Sequence, residues 1–224
     1  TYYKQAIFNN SKYIYVMDPV DYTNTNATWG STSSTSFARI DSGTYTNGYY
    51  SATLSGGADA TPTDGNIETA YDLFSNKESV DISLVLTGSA NVTVQQYVID
   101  NISTARADCI TFVSPLYANV VNQAGSETSN IQTWLASLGR SSSYVVADSG
   151  WKYQYDKYTN VYRWIPLNGD IAGLCVYTDT IKDPWFSPAG FSRGAIKNCI
   201  KLAWNPTKTY RDTLYAAGVN PVVT

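Results

Sequence analysis

The stretch from residue 81 to residue 149 alternates between apolar runs and amphipathic segments, and this order limits the possible folds more than any other feature. Apolar runs of strand length occur at 81–86 (DISLVL), 109–115 (CITFVSP) and 143–149 (SYVVADS). Between them, apolar residues recur at helical spacing; they are Val94, Val98, Ile102 and Ala105, then Ile131, Trp134, Leu135 and Leu138. Because parallel strands need a crossover connection, this order predicts parallel strands with helices on the faces of the sheet.

Helix ends are also readable in the sequence. Gly139 follows the second helical pattern and can end that helix in a left-handed conformation. An earlier helix is predicted before the first strand, with Asp64 as its cap; its apolar face consists of Ile67, Ala70, Tyr71 and Phe74.

Two hairpins and a long loop are predicted around this core. Residues 151–166 (WKYQYDKYTNVYRWIP) alternate between aromatic and polar side chains, and their aromatic face needs cover from the same chain or from another subunit. Asn47-Gly48 favours a tight turn in a hairpin over 44–57, and 22–42 is typical of a long polar surface loop. The predicted fold class is α/β: a mixed β-sheet with helices packed on its faces and peripheral β-hairpins, in a single domain over 1–224.

Several function classes conflict with the composition. The chain has no histidine, so it cannot build a Ser/His/Asp or Cys/His triad by itself, and no Gly-rich phosphate loop is present. The net charge of −3 and the lack of basic clusters argue against direct nucleic-acid binding, and the lack of long apolar runs argues against membrane insertion. The acid pairs Asp18 with Asp21 and Asp179 with Asp183 are interpreted as solvated or capping groups. No enzyme activity, cofactor or metal is expected.

The 3 cysteines, Cys109, Cys175 and Cys199, lie far apart in apolar surroundings. An odd number of widely spaced cysteines favours reduced, buried thiols over a disulfide framework or a zinc site. This pattern is typical of a protein from a reducing compartment.

The closing part of the chain carries two distinctive stretches, PLNGDIAGLCVYTDTIKDPWFSPAG (166–190) and RDTLYAAGVNPV (211–222). With the Ser-Arg-Gly step at 192–194, they resemble the contractile tail sheath proteins of T4-like bacteriophages. The resemblance covers roughly residues 45–224. The matching motif positions are Gly169, Ala172, Gly173, Pro184, Trp185, Pro188, Gly190, Arg193, Gly194, Arg211, Asp212, Gly218, Asn220 and Pro221.

The resemblance implies a structural role in the virion. Such proteins form stacked hexameric rings around a tail tube and contract to drive the tube through the host envelope. It further implies neighbouring sheath subunits and the tube protein as partners, and assembly in the host cytoplasm. Members of the family are longer, so this chain is expected to be a core fragment lacking an N-terminal arm, a protruding domain and a C-terminal region, and to be mainly monomeric alone.

In this interpretation the motif residues specify shape. Pro184 and Pro188 restrict the backbone around Trp185, which is expected to wedge the loop against the core, and Gly190 permits a turn. A helix is expected after Gly194, and another starting at Asn205-Pro206. The alternative function, from a different class, is a carbohydrate-binding or adhesive module, because the 19 tyrosines could stack on sugar rings; a hydrolase is less well supported.

Overall fold

The computed structural model describes residues 6–7, 9–13, 57 and 60–224. The chain divides into two compact units, residues 1–59 and 60–224. The helices and strands whose bounds follow all belong to the second unit. The predicted 22–42 loop and the turn at Asn47-Gly48 lie outside the described residues, and the single domain over 1–224 stays a prediction.

A three-stranded parallel sheet forms the centre of the second unit, as the alternating sequence predicts. Its strands are β1 (Leu84–Leu86), β2 (Ile110–Val113) and β3 (Val145–Ala147), in the order β1-β2-β3. Thr111 of β2 aligns with Val85 on one side and Val145 on the other. Nearly all of β2 is buried, because helices cover the sheet.

Helices connect and cover these strands. They are α1 (Asp64–Asp72), α2 (Val92–Val98), a π-helix (Ile99–Thr104), α3 (Tyr117–Val120) and α4 (Glu127–Leu138). The cap predicted for α1 is wrong by one residue: the Thr63 hydroxyl accepts the Asn66 amide at 3.3 Å, and Asp64 is the first helical residue. Threonine and aspartate are both preferred N-cap residues, so the sequence leaves this choice open.

The apolar face predicted for α2 shifts within the π-helix. Val98 and Ile102 are fully buried as expected, but Ala105 is exposed and Arg106 is buried in its place. A π-helix has more residues per turn than an α-helix, so it rotates the following residues around the axis. The Arg106 guanidinium donates to the carbonyls of Phe74 and Val80 and pairs with Asp108 at 2.9 Å, which satisfies its buried charge.

Helix α4 matches its prediction closely. Ile131, Trp134 and Leu138 are buried, and Gly139 ends the helix at φ 56° and ψ 31°. The largest apolar cluster packs between α4 and the sheet; its buried members are Ile99, Val113, Val120, Val121, Ile131, Trp134, Leu138, Ala147, Trp151, Leu214 and Val219.

A second, antiparallel sheet follows in the order β5-β4-β6, with strands β4 (Trp151–Asp156), β5 (Val161–Pro166) and β6 (Lys201–Leu202). Two helices complete the unit, α5 (Asn168–Ile181) and α6 (Lys208–Ala216). The α/β class with a peripheral hairpin is confirmed, and the parallel and antiparallel strands form separate sheets. No helix in the described part of the chain is long and apolar enough to cross a membrane.

Two predicted helix starts in the closing segment are wrong. Gly194 is followed by turns and by β6, because the Ile200 amide donates to the Tyr153 carbonyl and Asn198 is left-handed at φ 54°. Pairing with β4 therefore overrides local helix propensity. The last helix starts at Lys208 with Thr207 as its cap residue, two residues beyond Asn205-Pro206.

Candidate functional site

The carboxyl ends of the parallel strands hold a buried polar network. Ser114 follows β2 and donates its hydroxyl to the Asp148 carboxylate at 2.6 Å; Asp148 follows β3. The Gly150 amide donates to the other oxygen of Asp148 at 2.9 Å, and the Asn168 amide at the start of α5 donates to the Ser114 hydroxyl at 3.0 Å. The network therefore ties both strands to α5.

Gln95 of α2 extends this network toward α4. Its side-chain amide donates to the carbonyls of Ala90 and Ser114, and its oxygen accepts the Trp134 indole N–H at 3.0 Å. Open α/β sheets bind ligands beyond the carboxyl ends of their strands. Here satisfied side chains of the chain itself fill that position, which favours a structural role for this edge of the sheet.

Burial changes the acidity of Asp148. The side chain is enclosed, and desolvation raises its pKa to about 7, while the hydrogen bonds from Ser114 and Gly150 lower it less strongly. The carboxylate of Asp170 adds a smaller upward effect. Asp148 thus titrates near neutral pH as part of the folded core.

The final motif attaches the closing segment to β3. Asn220 forms a parallel bridge with Asp148, its amide donates to the Ala147 carbonyl at 2.8 Å, and the Val222 amide donates to the Ser149 hydroxyl at 2.9 Å. Gly218 turns the chain after α6 at φ +89°, which buries the neighbouring Val219. Pro221 lies within this attached segment.

The other motif residues of α6 act within that helix. Arg211 donates to the Pro206 carbonyl at 3.0 Å, which secures the entry into α6. Asp212 pairs with Lys208 at 2.7 Å on the exposed side of the helix. Both contacts join residues close in sequence, so they stabilise α6 locally and occupy the charged groups of Arg211 and Asp212.

Helix α5 is anchored by a buried ion pair at its first turn. The Lys152 ammonium lies 2.7 Å from the Asp170 carboxylate and also donates to the Lys197 carbonyl at 3.0 Å. Ala172 is buried against the sheet. A Cβ on Gly169 would lie 3.9 Å from Leu86, whereas Gly173 faces open space.

The loop after α5 is closed by a tight glycine contact. A Cβ on Gly194 would lie 2.8 Å from the Gly190 nitrogen, closer than real Cβ contacts allow. Gly190 has a φ of +86°, a conformation that residues with a Cβ rarely adopt, so glycine permits the turn there as expected, although no atom lies within 4 Å of a Cβ built on it. Arg193 donates to the Ser187 carbonyl at 3.0 Å across the loop.

Trp185 does not wedge this loop against the core. It is 79% exposed, and its indole stacks on the ring of Phe186 with centroids 6.5 Å apart. Phe191, on the same loop, is fully exposed. Pro184 is exposed and Pro188 is half-buried, so the loop presents its aromatic groups to solvent. Exposed large aromatic groups close together are typical of an interaction surface.

A groove of about 280 Å³ lies between α5 and residues 192–197. Gly169 and Gly173 of α5 line it together with Tyr177, Arg193 and Lys197. Asp170 also lines the groove, but its charge is balanced by Lys152. One aromatic ring and two cations are therefore among the residues that line the groove.

The aromatic face of the β4–β5 hairpin is covered only at one end. Trp151 is buried and donates its indole N–H to the Pro115 carbonyl at 2.7 Å. Toward the turn, Tyr153 and Tyr162 stack with centroids 5.6 Å apart, and Tyr162 and Tyr155 are exposed. The same chain thus covers the first part of the face and leaves the second part open to a partner.

Chemically reactive groups are scarce among the described residues. Asp179 and Asp183 are exposed, and no cluster of acids and cysteines there could hold a metal ion. The 3 cysteines are free thiols; Cys109 is buried, whereas Cys175 and Cys199 are half-buried, so full burial is confirmed for one of them. Desolvation raises the pKa of each thiol, which disfavours the nucleophilic thiolate.

The sequence analysis missed the buried network and the Lys152–Asp170 pair. A weak signal was present, because Ser114 and Asp148 are polar residues near the ends of two apolar runs. A fold whose sheet edge is filled by its own side chains, and whose surface carries exposed aromatic rings, defines a structural domain that presents surfaces for binding.

Comparison with known proteins gives the family. Residues 68–224 match the model of the phage tail sheath protein central domain. The tail sheath proteins of Vibrio phage KVP40 and Enterobacteria phage T4 are each 42% identical to this chain. The matches extend over 205 and 188 residues and cover 83% and 76% of the chain, respectively. That of Salmonella phage ViI is 38% identical over 173 residues, or 76% of the chain. The chain belongs to the phage tail sheath protein family.

This result confirms the resemblance seen in the closing motifs, all of which lie within residues 68–224. Tail sheath proteins are structural components of the virion that assemble with other sheath subunits. The chain spans 27–30% of the length of these three relatives. The structural role of the family agrees with the filled edge of the parallel sheet.

Proposed function

We propose that this chain is the core of a contractile tail sheath subunit, which polymerises around the tail tube and contracts to drive genome ejection through the host envelope. The match of residues 68–224 to the sheath central domain carries this proposal. The exposed aromatic loop and the open end of the hairpin supply surfaces for contacts between subunits. Assembly takes place in the host cytoplasm, with neighbouring sheath subunits and the tail tube protein as partners.

A contractile sheath needs rigid subunits that move between two packings. The described core suits this need, because buried hydrogen bonds join β2, β3, α2, α4 and α5 and a buried ion pair fixes the start of α5. The motif residues from Gly169 to Pro221 maintain this shape. The subunit performs no catalysis and uses no cofactor, because the work comes from the difference in free energy between the two packings of the lattice.

Electron microscopy of the full-length sheath protein containing this chain tests the proposal. We expect tubular polymers of stacked rings, since exposed interaction surfaces recur on every subunit. Particles that remain monomeric under all assembly conditions would contradict the proposal, and glycan binding in an array screen without tubes would support the adhesive module instead.

The isolated chain of residues 1–224, as a single domain, is expected to be mainly monomeric at micromolar concentration. Association has to overcome several kcal/mol of lost translational and rotational freedom. In the described part of the chain, the exposed aromatic groups proposed for contacts between subunits lie in two separate places, on the loop after α5 and at the open end of the β4–β5 hairpin, and do not form one large contact area. Sedimentation velocity measures this directly, and stable hexamers of residues 1–224 would contradict it.

A further inference from the structure

Three cations and three aromatic rings form one continuous surface at the end of α5 and along the following loop. Lys182 and Arg193 lie 5.9 and 5.6 Å from the centroid of the Phe186 ring, on which Trp185 stacks. Arg193 also lines the groove with Lys197, whose ammonium lies 5.5 Å from the Tyr177 ring. These six residues, Tyr177, Lys182, Trp185, Phe186, Arg193 and Lys197, are termed the basic aromatic surface.

The cations of this surface contact aromatic rings and not carboxylates in the part of the chain that the structure describes. None of its three cations forms an ion pair with any residue the structure describes. Between residues 182 and 197 the sequence contains one carboxylate, Asp183, although the whole chain has a net charge of −3. Cations that rest on aromatic rings keep their charge available for an acidic partner.

A surface of opposite charge lies on α1. Asp64, Glu68 and Asp72 are spaced by four residues, so they share one side of the helix and form an acidic stripe. Asp64 accepts from the Asn91 amide at 2.8 Å and Asp72 from the Tyr97 hydroxyl at 2.7 Å, both neutral donors. Among the described residues no cation pairs with the stripe, and α1 has no buried residue.

Both surfaces thus lack an ionic partner among the described residues of one copy, and each is complementary in charge to the other. We propose that the basic aromatic surface of one copy binds the acidic stripe of a second copy. This inference depends on the proposed function, because it assigns one of the contacts between sheath subunits. Different patches meet in such a contact, so it is heterologous and adds copies head to tail, into a ring or a helical array.

Charge reversal provides a test in the 224-residue chain. The first variant, Lys182→Glu/Lys197→Glu, makes both surfaces acidic; the second, Glu68→Lys/Asp72→Lys, makes both basic. We expect each variant alone to associate at least about tenfold more weakly than the wild type in sedimentation equilibrium at millimolar concentration and low salt, because like charges then oppose each other. An equimolar mixture of the two should recover association to within about threefold of the wild type, because each reversed surface then meets its opposite.

The matched control is Lys157→Glu/Lys208→Glu, which changes the net charge by the same amount on exposed positions outside both surfaces. It should associate like the wild type, and circular dichroism checks that every variant is folded. A mixture no stronger than its components, or a wild type that does not associate at millimolar concentration, would overturn the inference. Loss of association by the first variant without rescue in the mixture would show that the basic aromatic surface contacts a different part of the second copy and would also overturn the inference.

Different experimental results would contradict the proposed function and this inference. If the full-length protein forms tubes but its Lys182→Glu/Lys197→Glu variant forms them equally well, the sheath function stands and the assigned contact is wrong. If the unaltered full-length protein forms no tubes, the sheath function itself is contradicted.

Discussion

The Lys152 ammonium and the Asp170 carboxylate lie 2.7 Å apart, and their side chains are only 6% and 19% exposed. The pair joins β4 to the first turn of α5, and the same ammonium holds the Lys197 carbonyl. Removal of one buried partner leaves the other charge unpaired and desolvated, which is far more costly than loss of an exposed pair.

Lys152→Ala is therefore expected to lower the free energy of unfolding by about 3–5 kcal/mol, as for other broken buried pairs. Lys208→Ala is the control, because its pair with Asp212 is exposed and should contribute about 0.5 kcal/mol or less. Urea unfolding measures both values. Equal losses in the two variants would show that the buried pair has no special role.

Trp185→Ala should leave the free energy of unfolding within about 1 kcal/mol of the wild type, because exposed side chains contribute little to the folded core. Trp134→Ala, at a residue only 2% exposed, should cost about 3–5 kcal/mol. Thermal unfolding of the two variants compares the sites. A large loss at Trp185 would mean that the loop packs more tightly than its exposure indicates.

Stability should fall as the pH rises from 4 to 7, because Asp148 has a pKa of about 7 in the folded protein against 3.8 for the free side chain. In that range the unfolded chain releases the proton first, so ionisation favours unfolding, by about 4 kcal/mol in total, and the effect levels off above pH 7. Asp148→Asn should flatten this part of the profile, measured by urea unfolding at several pH values.

Asp156→Asn is the control for the pH profile. Hydrogen bonds, first from the Thr159 hydroxyl and then from the Tyr158 amide, lower the pKa of Asp156 to about 2. Its ionised form therefore stabilises the fold above pH 4, and that stability is lost as the pH falls toward 2. The slope between pH 4 and 7 should survive in this variant; a slope that also survives in Asp148→Asn would exclude Asp148 as its source.

Gly194→Ala is expected to destabilise the loop by about 1–3 kcal/mol, because the added Cβ meets the backbone of Ala189 and Gly190 at 2.8–2.9 Å. Gly173→Ala should instead stabilise the protein by about 0.5–1 kcal/mol, since it lies within α5 and faces open space. Chemical denaturation measures the change in the free energy of unfolding for both variants. A loss of stability in Gly173→Ala would show that the added Cβ meets a close neighbour.

Sequence reasoning succeeded where local signals determine the structure. The helical spacing of Ile131, Trp134 and Leu138 and the stop at Gly139 depend on residues close in sequence, and α4 follows both. The parallel order of β1, β2 and β3 follows from a general rule about crossovers. The closing motifs were sufficient to indicate the family.

Sequence reasoning failed where distant contacts decide the outcome. Arg106 replaces Ala105 in the buried face because a π-helix intervenes, and the segment after Gly194 pairs with β4 although its apolar spacing also suits a helix. In the network of Gln95, Ser114 and Asp148, three hydrogen bonds join residues that are 19 to 39 positions apart in the sequence. No pattern within a short window encodes such contacts.

The attachment of the closing segment to β3 has a mechanical consequence. Asn220 and Val222 run parallel to β3 and bond across to Ala147 and Ser149, so a pull on residue 224 along the strand direction loads both hydrogen bonds in shear. Bonds loaded side by side break together, whereas bonds loaded at one end open one after another. Tension arriving from this side would therefore pass into the central sheet before it could unwind α6.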